Sequence, residues 1–203
     1  MQLKQEEDRR LLIAPPKPYS ALIFDCDGTL ADTMPLHYHA WTKVLSDHGA
    51  ELPEDQFYKL AGMPTTQIVR LLNDTFGYQL DEDAIHEKKE RLYVELAHQI
   101  LEIQAVADIA RDNFEVVPMA VASGGIRSVI EITLRTVGLR QLFDVIISAE
   151  DVAQGKPAPD MFLLAAERMG VASQSCVVYE DADLGVEAAR RAGMRVVDVR
   201  ILQ

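Results

Sequence analysis

The chain has 203 residues, of which 48% are hydrophobic and 26% are charged. This composition is ordinary for a globular domain and excludes a disordered chain, a collagen-like repeat and a coiled coil. The apolar runs are much shorter than the ~18 residues that a membrane span needs, and the N-terminus does not have the pattern of a signal peptide. The net charge of −12 argues against nucleic acid as the main partner, because an acidic surface repels phosphate backbones.

Two cysteines, Cys26 and Cys176, lie in apolar, strand-like runs. We expect them to be buried, reduced thiols, because two isolated cysteines form neither a disulfide framework nor a metal site. Cysteine usage and charge together predict a soluble, cytoplasmic protein. We expect no nucleic-acid or membrane partner and a monomer or a dimer, although nothing in the sequence decides between these two states. Residues 1–17 are polar and then proline-rich, and we expect an extended N-terminal extension that can be mobile.

Short continuous apolar runs predict strands that are buried on both faces of a parallel sheet. The runs cover residues 21–24, 116–122, 145–147, 176–179 and 196–197. Helical patterns that end at a glycine, a common helix stop, separate the later runs and cover residues 127–137, 160–169 and 184–192. This alternation predicts an α/β fold with a doubly wound parallel-sheet core, formed by residues 18–32 and 105–203.

The stretch from residue 33 to residue 104 lacks convincing strands and predicts consecutive helices. The predicted helices cover residues 35–48, 53–60, 65–76 and 83–100. Asp32 or Thr33 can cap the first of them, and Pro35 suits its first turn. An all-helical domain is therefore expected to be inserted between the first and second strands of the core.

The first strand ends at the string Asp25-Cys26-Asp27-Gly28-Thr29. Its two carboxylates follow a buried strand, at the edge where open α/β sheets bind ligands. Carboxylate oxygens suit a hard cation such as Mg²⁺, and a carboxylate can also attack phosphorus. The string therefore indicates metal-assisted phosphoryl chemistry.

Further polar motifs follow the next three strands. Ser123-Gly124-Gly125 offers a hydroxyl and exposed backbone N–H groups that can bind a phosphate at a helix start. Lys156 provides a point charge for phosphoryl oxygens. Glu180 and Asp181 complete a carboxylate cluster that would repel itself without a cation, so the cluster predicts a metal. Asp183 is expected to cap the helix that follows.

These four motifs, in this order and each at a predicted strand end, resemble those of the haloacid dehalogenase-like superfamily of phosphoryl-transfer enzymes. The resemblance covers nearly the whole chain, from about Tyr19 to Leu202. It implies a Rossmann-like core with a small helical cap of the family's first type, here residues 33–104. The alternative is a binding protein that has lost catalysis, but no motif residue is missing.

The resemblance also implies a role for each motif residue. Asp25 would be the nucleophile that forms an aspartyl-phosphate, and Asp27 the general acid and base. The implied Mg²⁺ site comprises Asp25, the backbone carbonyl of Asp27, Asp181 and, as a further ligand or a neighbouring support, Glu180. The implied phosphate site comprises Ser123, Gly124 and Lys156.

Residues 32–41 and 185–194 resemble both the β-phosphoglucomutases and the bacterial sugar phosphatases that hydrolyse fructose 1-phosphate and 6-phosphogluconate. The mutases carry an arginine after a glycine in the cap loop, which grips a second phosphate. Here the loop from Leu60 to Thr66 has no arginine, and Arg70 lies a turn further on. We therefore expect a Mg²⁺-dependent phosphatase acting on a small phosphorylated metabolite, a sugar phosphate; a β-phosphoglucomutase-like mutase is the alternative.

Three cap residues are candidates for substrate contact. His37 and Trp41 lie four residues apart and share a helix face, which looks into the site in the mutase-like pattern. A core tryptophan beside a partly buried histidine is the equal alternative. Gly62, in the cap loop, is the third candidate. Lys88 or Lys89 could also reach in from the last cap helix, although lysines on such helices are usually solvated.

Overall fold

The structure is a computed structural model that describes residues 8–202. Its strands, numbered along the chain, are β1 (Ala21–Phe24), β2 (Ala31–Asp32), β3 (Leu101–Glu102), β4 (Met119–Ala122), β5 (Val145–Ile147), β6 (Cys176–Glu180) and β7 (Arg195–Asp198). Its longer helices are α1 (Met34–Ser46), α2 (Glu54–Lys59), α3 (Thr65–Phe76), α4 (Glu82–Leu96), α5 (Gln104–Asn113), α6 (Arg127–Thr136), α7 (Asp160–Met169) and α8 (Asp183–Arg191). Within residues 8–202, no helix combines the length and the apolar character that crossing a membrane requires.

A five-stranded parallel sheet forms the core, in the order β5-β4-β1-β6-β7. The central strand β1 pairs in parallel with β4 on one side and with β6 on the other. These three strands are buried along their whole length, as continuous apolar runs covered on both faces should be. Two apolar clusters cover the two faces and include the buried thiols of Cys26 and Cys176, which form no disulfide. The predicted α/β class with a parallel core is confirmed.

Helices α1 to α4 lie between β2 and β3 and have an apolar core of their own. Trp41, Phe57 and Leu72 are among its buried residues. At the point where the chain leaves and re-enters the sheet domain, β2 and β3 pair antiparallel, with Ala31 opposite Glu102. The sequence predicts no strand at β3, because two residues are too few to show an alternating pattern.

The segment ahead of β1 packs against the core. Ile13 is completely buried, and its carbonyl accepts a 2.8 Å hydrogen bond from the buried hydroxyl of Tyr179. The guanidinium of Arg195 donates to the carbonyls of Pro16 and Pro18. The sequence did not predict these contacts, since a single buried apolar residue gives no periodic signal, and the mobility of the extension stays a prediction. The expectation for residues 1–7 lies outside the described part of the chain.

Replacing Ile13 with alanine should lower the free energy of unfolding by about 2–4 kcal/mol, because it leaves a cavity in the core. Leu11 is the matched control, since it is 71% exposed and its truncation should cost less than about 0.5 kcal/mol. Urea denaturation followed by circular dichroism measures both variants. Equal stabilities would show that the segment ahead of β1 does not anchor the core.

Candidate active site

The parallel pairing of the central strands brings the four sequence motifs together. Phe24 of β1 is in register with Val121 of β4 and with Tyr179 of β6. Side chains that follow these strands therefore meet at one edge of the sheet, outside its carboxyl ends. The buried polar side chains at this edge are Asp25, Ser123, Lys156 and Glu180.

Three carboxylates converge at this edge. One oxygen from each of Asp25, Glu180 and Asp181 lies within 4.8 Å of the others. Burial, together with the neighbouring acids, raises the pKa of Asp25 well above its ordinary value and the pKa of Asp181 to about 7. A bound cation relieves such repulsion between buried negative charges. The donor set consists of carboxylate oxygens, which fits a hard divalent cation such as Mg²⁺.

The loop after β1 positions Asp181. Thr29 Oγ1 donates a 3.1 Å hydrogen bond to Asp181 Oδ1. Gly28 has a φ of +82°, and any side chain there would overlap the Asp181 carboxylate. Glycine satisfies both the left-handed backbone and the close approach. The contact between these two motifs therefore depends on Gly28.

Lys156 is the buried cation of the cluster. Its Nζ donates to Asp25 Oδ1 over 2.5 Å and also contacts Glu180 Oε1. Burial alone would lower the pKa of Lys156, but the two carboxylates outweigh burial and raise the pKa. The lysine is therefore charged and holds Asp25 in place. One cation does not balance three ionised carboxylates, and this crowding of negative charge is part of the reason why the pKa values of Asp25 and Asp181 are raised.

Glu180 uses both of its oxygens within the protein. Oε1 contacts Lys156, and Oε2 accepts 3.0 Å hydrogen bonds from the backbone N–H groups of Asp181 and Ala182. Helix α8 passes so close that a side chain on Gly185 would overlap the carboxylate. Glu180 is therefore better placed to hold Lys156 in position than to bind a metal.

Asp183 is not the N-cap of α8 that the sequence predicts. The N-cap of α8 is Ala182, and Asp183 is the first helical residue. The Asp183 carboxylate is exposed and pairs with Arg200 at 2.7 Å. The sequence pattern does not separate the two positions, because aspartate is favoured both as an N-cap and in the first turn of a helix.

Asp27 is held by donors from both the insertion and the core. Its Oδ1 accepts hydrogen bonds from Thr33 Oγ1 (2.8 Å) and His37 Nε2 (3.2 Å), and its Oδ2 accepts one from Ser123 Oγ (3.3 Å). Burial alone would raise the pKa of Asp27, but the hydrogen bonds and charge of its neighbours outweigh burial and lower the pKa to about 2. Asp27 is therefore an oriented carboxylate.

Thr33 and His37 come to Asp27 from the start of α1. Thr33 precedes the helix but makes no capping hydrogen bond to it, and its hydroxyl instead donates to Asp27. The sequence left open whether His37 faces the site, and the structure places it there. The His37 ring stacks on Tyr93 with the ring centroids 4.0 Å apart, and burial lowers the pKa of His37. A neutral ring donates from Nε2 to the ionised Asp27.

The loop after β4 packs directly against the insertion. Gly125 N–H donates a 3.2 Å hydrogen bond to Ser123 Oγ. A Cβ on Gly124 would lie 2.5 Å from the carbonyl oxygen of Gly62, which is closer than side chains tolerate. Gly62 thus faces the predicted phosphate loop, and the contact brings the insertion against the core.

A cavity of about 80 Å³ lies between the core motifs and the insertion. Asp25, Asp27 and Ser123 contribute to its core side. The insertion side is mostly apolar and includes Met34, Trp41, Phe57, Leu60, Met63 and Ile68. Trp41 also packs in the apolar core of the insertion. It is therefore both a core residue and a residue that lines the cavity. Lys89 and Glu90, from α4, also line the cavity.

Of the two candidate lysines on α4, Lys89 reaches the site. Lys89 is 5% exposed and donates to Glu90 over 2.9 Å, whereas Lys88 is exposed. The buried positions of α4 are Ile85, Lys89 and Tyr93, which lie four residues apart. That spacing is the sequence signal that identifies Lys89.

Sequence reasoning missed the roles of three more residues, Thr29, Glu90 and Gly185, because these roles depend on contacts between distant segments.

Over residues 22–199 the chain matches a family model described as haloacid dehalogenase-like hydrolase. It is 40% identical over 184 residues to fructose-1-phosphate phosphatase YqaB of Escherichia coli (strain K12), covering 91% of this chain and 98% of the relative. It is 31% identical to the phosphorylated carbohydrates phosphatase of Thermotoga maritima, covering 86% of this chain and 82% of the relative. The crystal structure of CbbY from Rhodobacter sphaeroides in complex with phosphate superposes with a TM-score of 0.80 at 27% identity, covering 88% and 85% of the two chains.

Replacing Gly185 with alanine should lower the free energy of unfolding by about 1–3 kcal/mol, because the new methyl group overlaps the Glu180 carboxylate. This loss outweighs the gain of about 1 kcal/mol that alanine brings to a helix. Gly155→Ala is the control, since its Cβ would make only ordinary contacts, at 3.8 Å, with Pro64. Thermal unfolding compares the two. A Gly185→Ala variant as stable as the control would contradict the close packing of α8 on Glu180.

Proposed function

The chain belongs to the haloacid dehalogenase-like hydrolase family, and from that premise we propose that it is a Mg²⁺-dependent phosphatase, a phosphoric monoester hydrolase. Its proposed substrate is a sugar phosphate of the fructose 1-phosphate or 6-phosphogluconate type. The relatives named as phosphatases of fructose 1-phosphate and of phosphorylated carbohydrates support this class. The observation that carries the proposal is the buried carboxylate of Asp25, which is paired with Lys156 and lies on the cavity beside Asp27.

Asp25 is the proposed nucleophile. One of its oxygens attacks phosphorus and forms a P–O bond, while the ester bond between phosphorus and the sugar oxygen breaks. The product of this step is an aspartyl-phosphate on Asp25. Ser123 and the backbone of Gly124 would hold the phosphoryl oxygens, and the charge of Lys156 would offset the charge that develops on them.

Asp27 is the proposed proton carrier. Asp27 is ionised in the free protein, so it first takes up a proton from solvent or from the monoanion of the phosphate ester, and in the first step it gives this proton to the sugar oxygen that leaves. In the second step a water molecule attacks the aspartyl-phosphate and gives a proton to Asp27, which releases inorganic phosphate and restores Asp25. The carboxylate form of Asp27, held by Thr33 and His37, is the form that this second step needs.

Mg²⁺ would be held by the side chain of Asp25, the backbone carbonyl of Asp27 and Asp181. When bound, the ion supplies positive charge beside the phosphoryl group. The excess negative charge of the carboxylate cluster supports a cation at this place. Glu180 would act next to the ion by holding Lys156, because its two oxygens already have partners in the protein.

The helical insertion would act as the cap of this enzyme. We propose residues 33–104 as the cap and residues 18–32 and 105–203 as the core. Caps close over a site, exclude water and select the substrate. His37, Trp41 and Gly62 are the proposed cap residues at the substrate. The cytoplasmic location, the monomer or dimer state and the lack of nucleic-acid or membrane partners stay predictions.

The mutase alternative needs a second phosphate site, and the contacts of the cations disfavour one. Arg70 forms a two-pronged pair with Glu82, with its Nε at 3.0 Å and its Nη2 at 2.7 Å from the carboxylate oxygens, away from the cavity. Lys89 is paired with Glu90. Among the described residues that line the cavity, no arginine or unpaired lysine is present to grip a second phosphate.

Asp25→Asn should abolish hydrolysis of p-nitrophenyl phosphate, lowering kcat at least about a thousandfold, because an amide is not a nucleophile. EDTA should abolish the activity of the unaltered protein, and added Mg²⁺ should restore it. Asp55→Asn is the matched control, since Asp55 is exposed and pairs only with Lys59. Turnover that survives Asp25→Asn would exclude Asp25 as the nucleophile.

With β-glucose 1-phosphate and a bisphosphate primer, we expect release of inorganic phosphate and no glucose 6-phosphate. Arg70→Ala should leave hydrolysis unchanged, because the surface pair with Glu82 keeps Arg70 out of the cavity. Coupled assays that follow phosphate and glucose 6-phosphate separately measure both products. Formation of glucose 6-phosphate without phosphate release would establish the mutase instead.

A further inference from the structure

Glu90, in the cavity wall, has one oxygen that the protein does not use. Its Oε1 accepts 2.9 Å hydrogen bonds from Thr65 Oγ1 and from Lys89 Nζ. Within the described chain, no donor lies within hydrogen-bond distance of Oε2. The side chain is 13% exposed and lines the cavity. Oε2 is not among the buried polar atoms that lack a partner, so it is accessible to water or to a ligand that can supply a donor.

Glu90 brings a negative charge to the side of the cavity formed by the insertion. Burial alone would raise the pKa of Glu90, but the charge and hydrogen bond of Lys89 and the hydrogen bond of Thr65 outweigh burial and lower the pKa. His86 Nδ1 also approaches Oε1, at 3.9 Å. Every partner therefore orients Oε1, and the ionised carboxylate presents Oε2 as an acceptor.

The charge of Lys89 is not available for a second anion. Its Nζ lies 2.9 Å from Glu90 and 5.7 Å from the centroid of the Tyr93 ring, and the side chain is 6% exposed. The Lys89–Glu90 pair is neutral as a unit. An anionic group on the substrate, brought next to this pair, gains no net attraction and meets the exposed oxygen of Glu90.

We infer that Glu90 determines the substrate class: Oε2 accepts a hydrogen bond from a hydroxyl of a neutral polyhydroxy chain, whereas an anionic group at the same place would lie closer to the carboxylate than to the Lys89 ammonium on Oε1 and would be repelled. This inference rests on the proposed function and narrows its substrate to sugar phosphates that are neutral beyond their single phosphate, which favours the fructose 1-phosphate type over the 6-phosphogluconate type. A hydroxyl supplies the missing donor. A carboxylate or a second phosphate would meet a like charge in a cavity with a low dielectric constant.

Glucitol 6-phosphate and 6-phosphogluconate are matched probes for this inference. They share the carbon chain, the phosphate and the hydroxyls at C2 to C5, and differ at C1, which is a hydroxymethyl group in one and a carboxylate in the other. We expect the unaltered enzyme to have a kcat/KM at least about tenfold higher for glucitol 6-phosphate. In Glu90→Gln this ratio should fall about tenfold or more, because the amide keeps the shape and loses the charge.

Two further variants separate selection from a structural role. Glu87→Gln is the matched control, since Glu87 lies on the same helix, has a side chain that is 73% exposed and pairs with Arg91. It should keep the ratio of the unaltered enzyme. Glu90→Asp keeps the charge on a shorter side chain and should keep most of the preference. Thermal unfolding of each variant establishes that it is folded.

The outcomes distinguish this inference from the proposed function. Equal kcat/KM values for the two probes in the unaltered enzyme would overturn the role of Glu90, as would a ratio in Glu90→Gln that equals the ratio in Glu87→Gln. Hydrolysis of p-nitrophenyl phosphate with Mg²⁺ tests the phosphatase itself. If the unaltered enzyme hydrolyses p-nitrophenyl phosphate but neither probe, the inference is wrong and the phosphatase stands. If it hydrolyses none of the three, both fall.

Discussion

Two buried carboxylates, a half-buried third one and a buried lysine lie together at the carboxyl end of the sheet and impose the main constraint on this structure. Burying like charges is unfavourable unless each one is paired or hydrogen-bonded. The fold meets this requirement with the ammonium of Lys156, the hydroxyl of Thr29 and two backbone N–H groups around Glu180. The same crowding leaves room only for hydrogen at Gly28 and Gly185. The remaining negative charge suits a divalent cation.

The insertion and the core share this site, so neither builds it alone. The core carries Asp27, but two of the three side chains that orient its carboxylate, Thr33 and His37, come from the start of α1. The carbonyl of Gly62 packs where a side chain on Gly124 would stand. The orientation of Asp27 and the enclosure of the cavity therefore depend on the same placement of the insertion.

Much of the fold follows from periodicity, and the exceptions are short or solitary features. Helix α3 and helix α7 have the bounds that their amphipathic patterns predict, because ten or more residues show the period clearly. The β2–β3 ribbon and the anchor at Ile13 lack such a pattern. A two-residue strand, or one buried side chain in a proline-rich segment, is stabilised by its tertiary partners, so its own sequence carries no signal.

The four motifs, their order and their convergence could be predicted from the amino-acid sequence, because parallel strands must bring their carboxyl ends to one edge. Asp25, Lys156 and Asp181 are therefore brought to the same edge of the sheet. The folded structure was needed to show that Thr33 and His37 orient Asp27, and that Glu90 keeps one oxygen unused. The physical reason is that these contacts depend on the rotation and docking of a helix against a distant segment, which side-chain packing determines and local sequence does not.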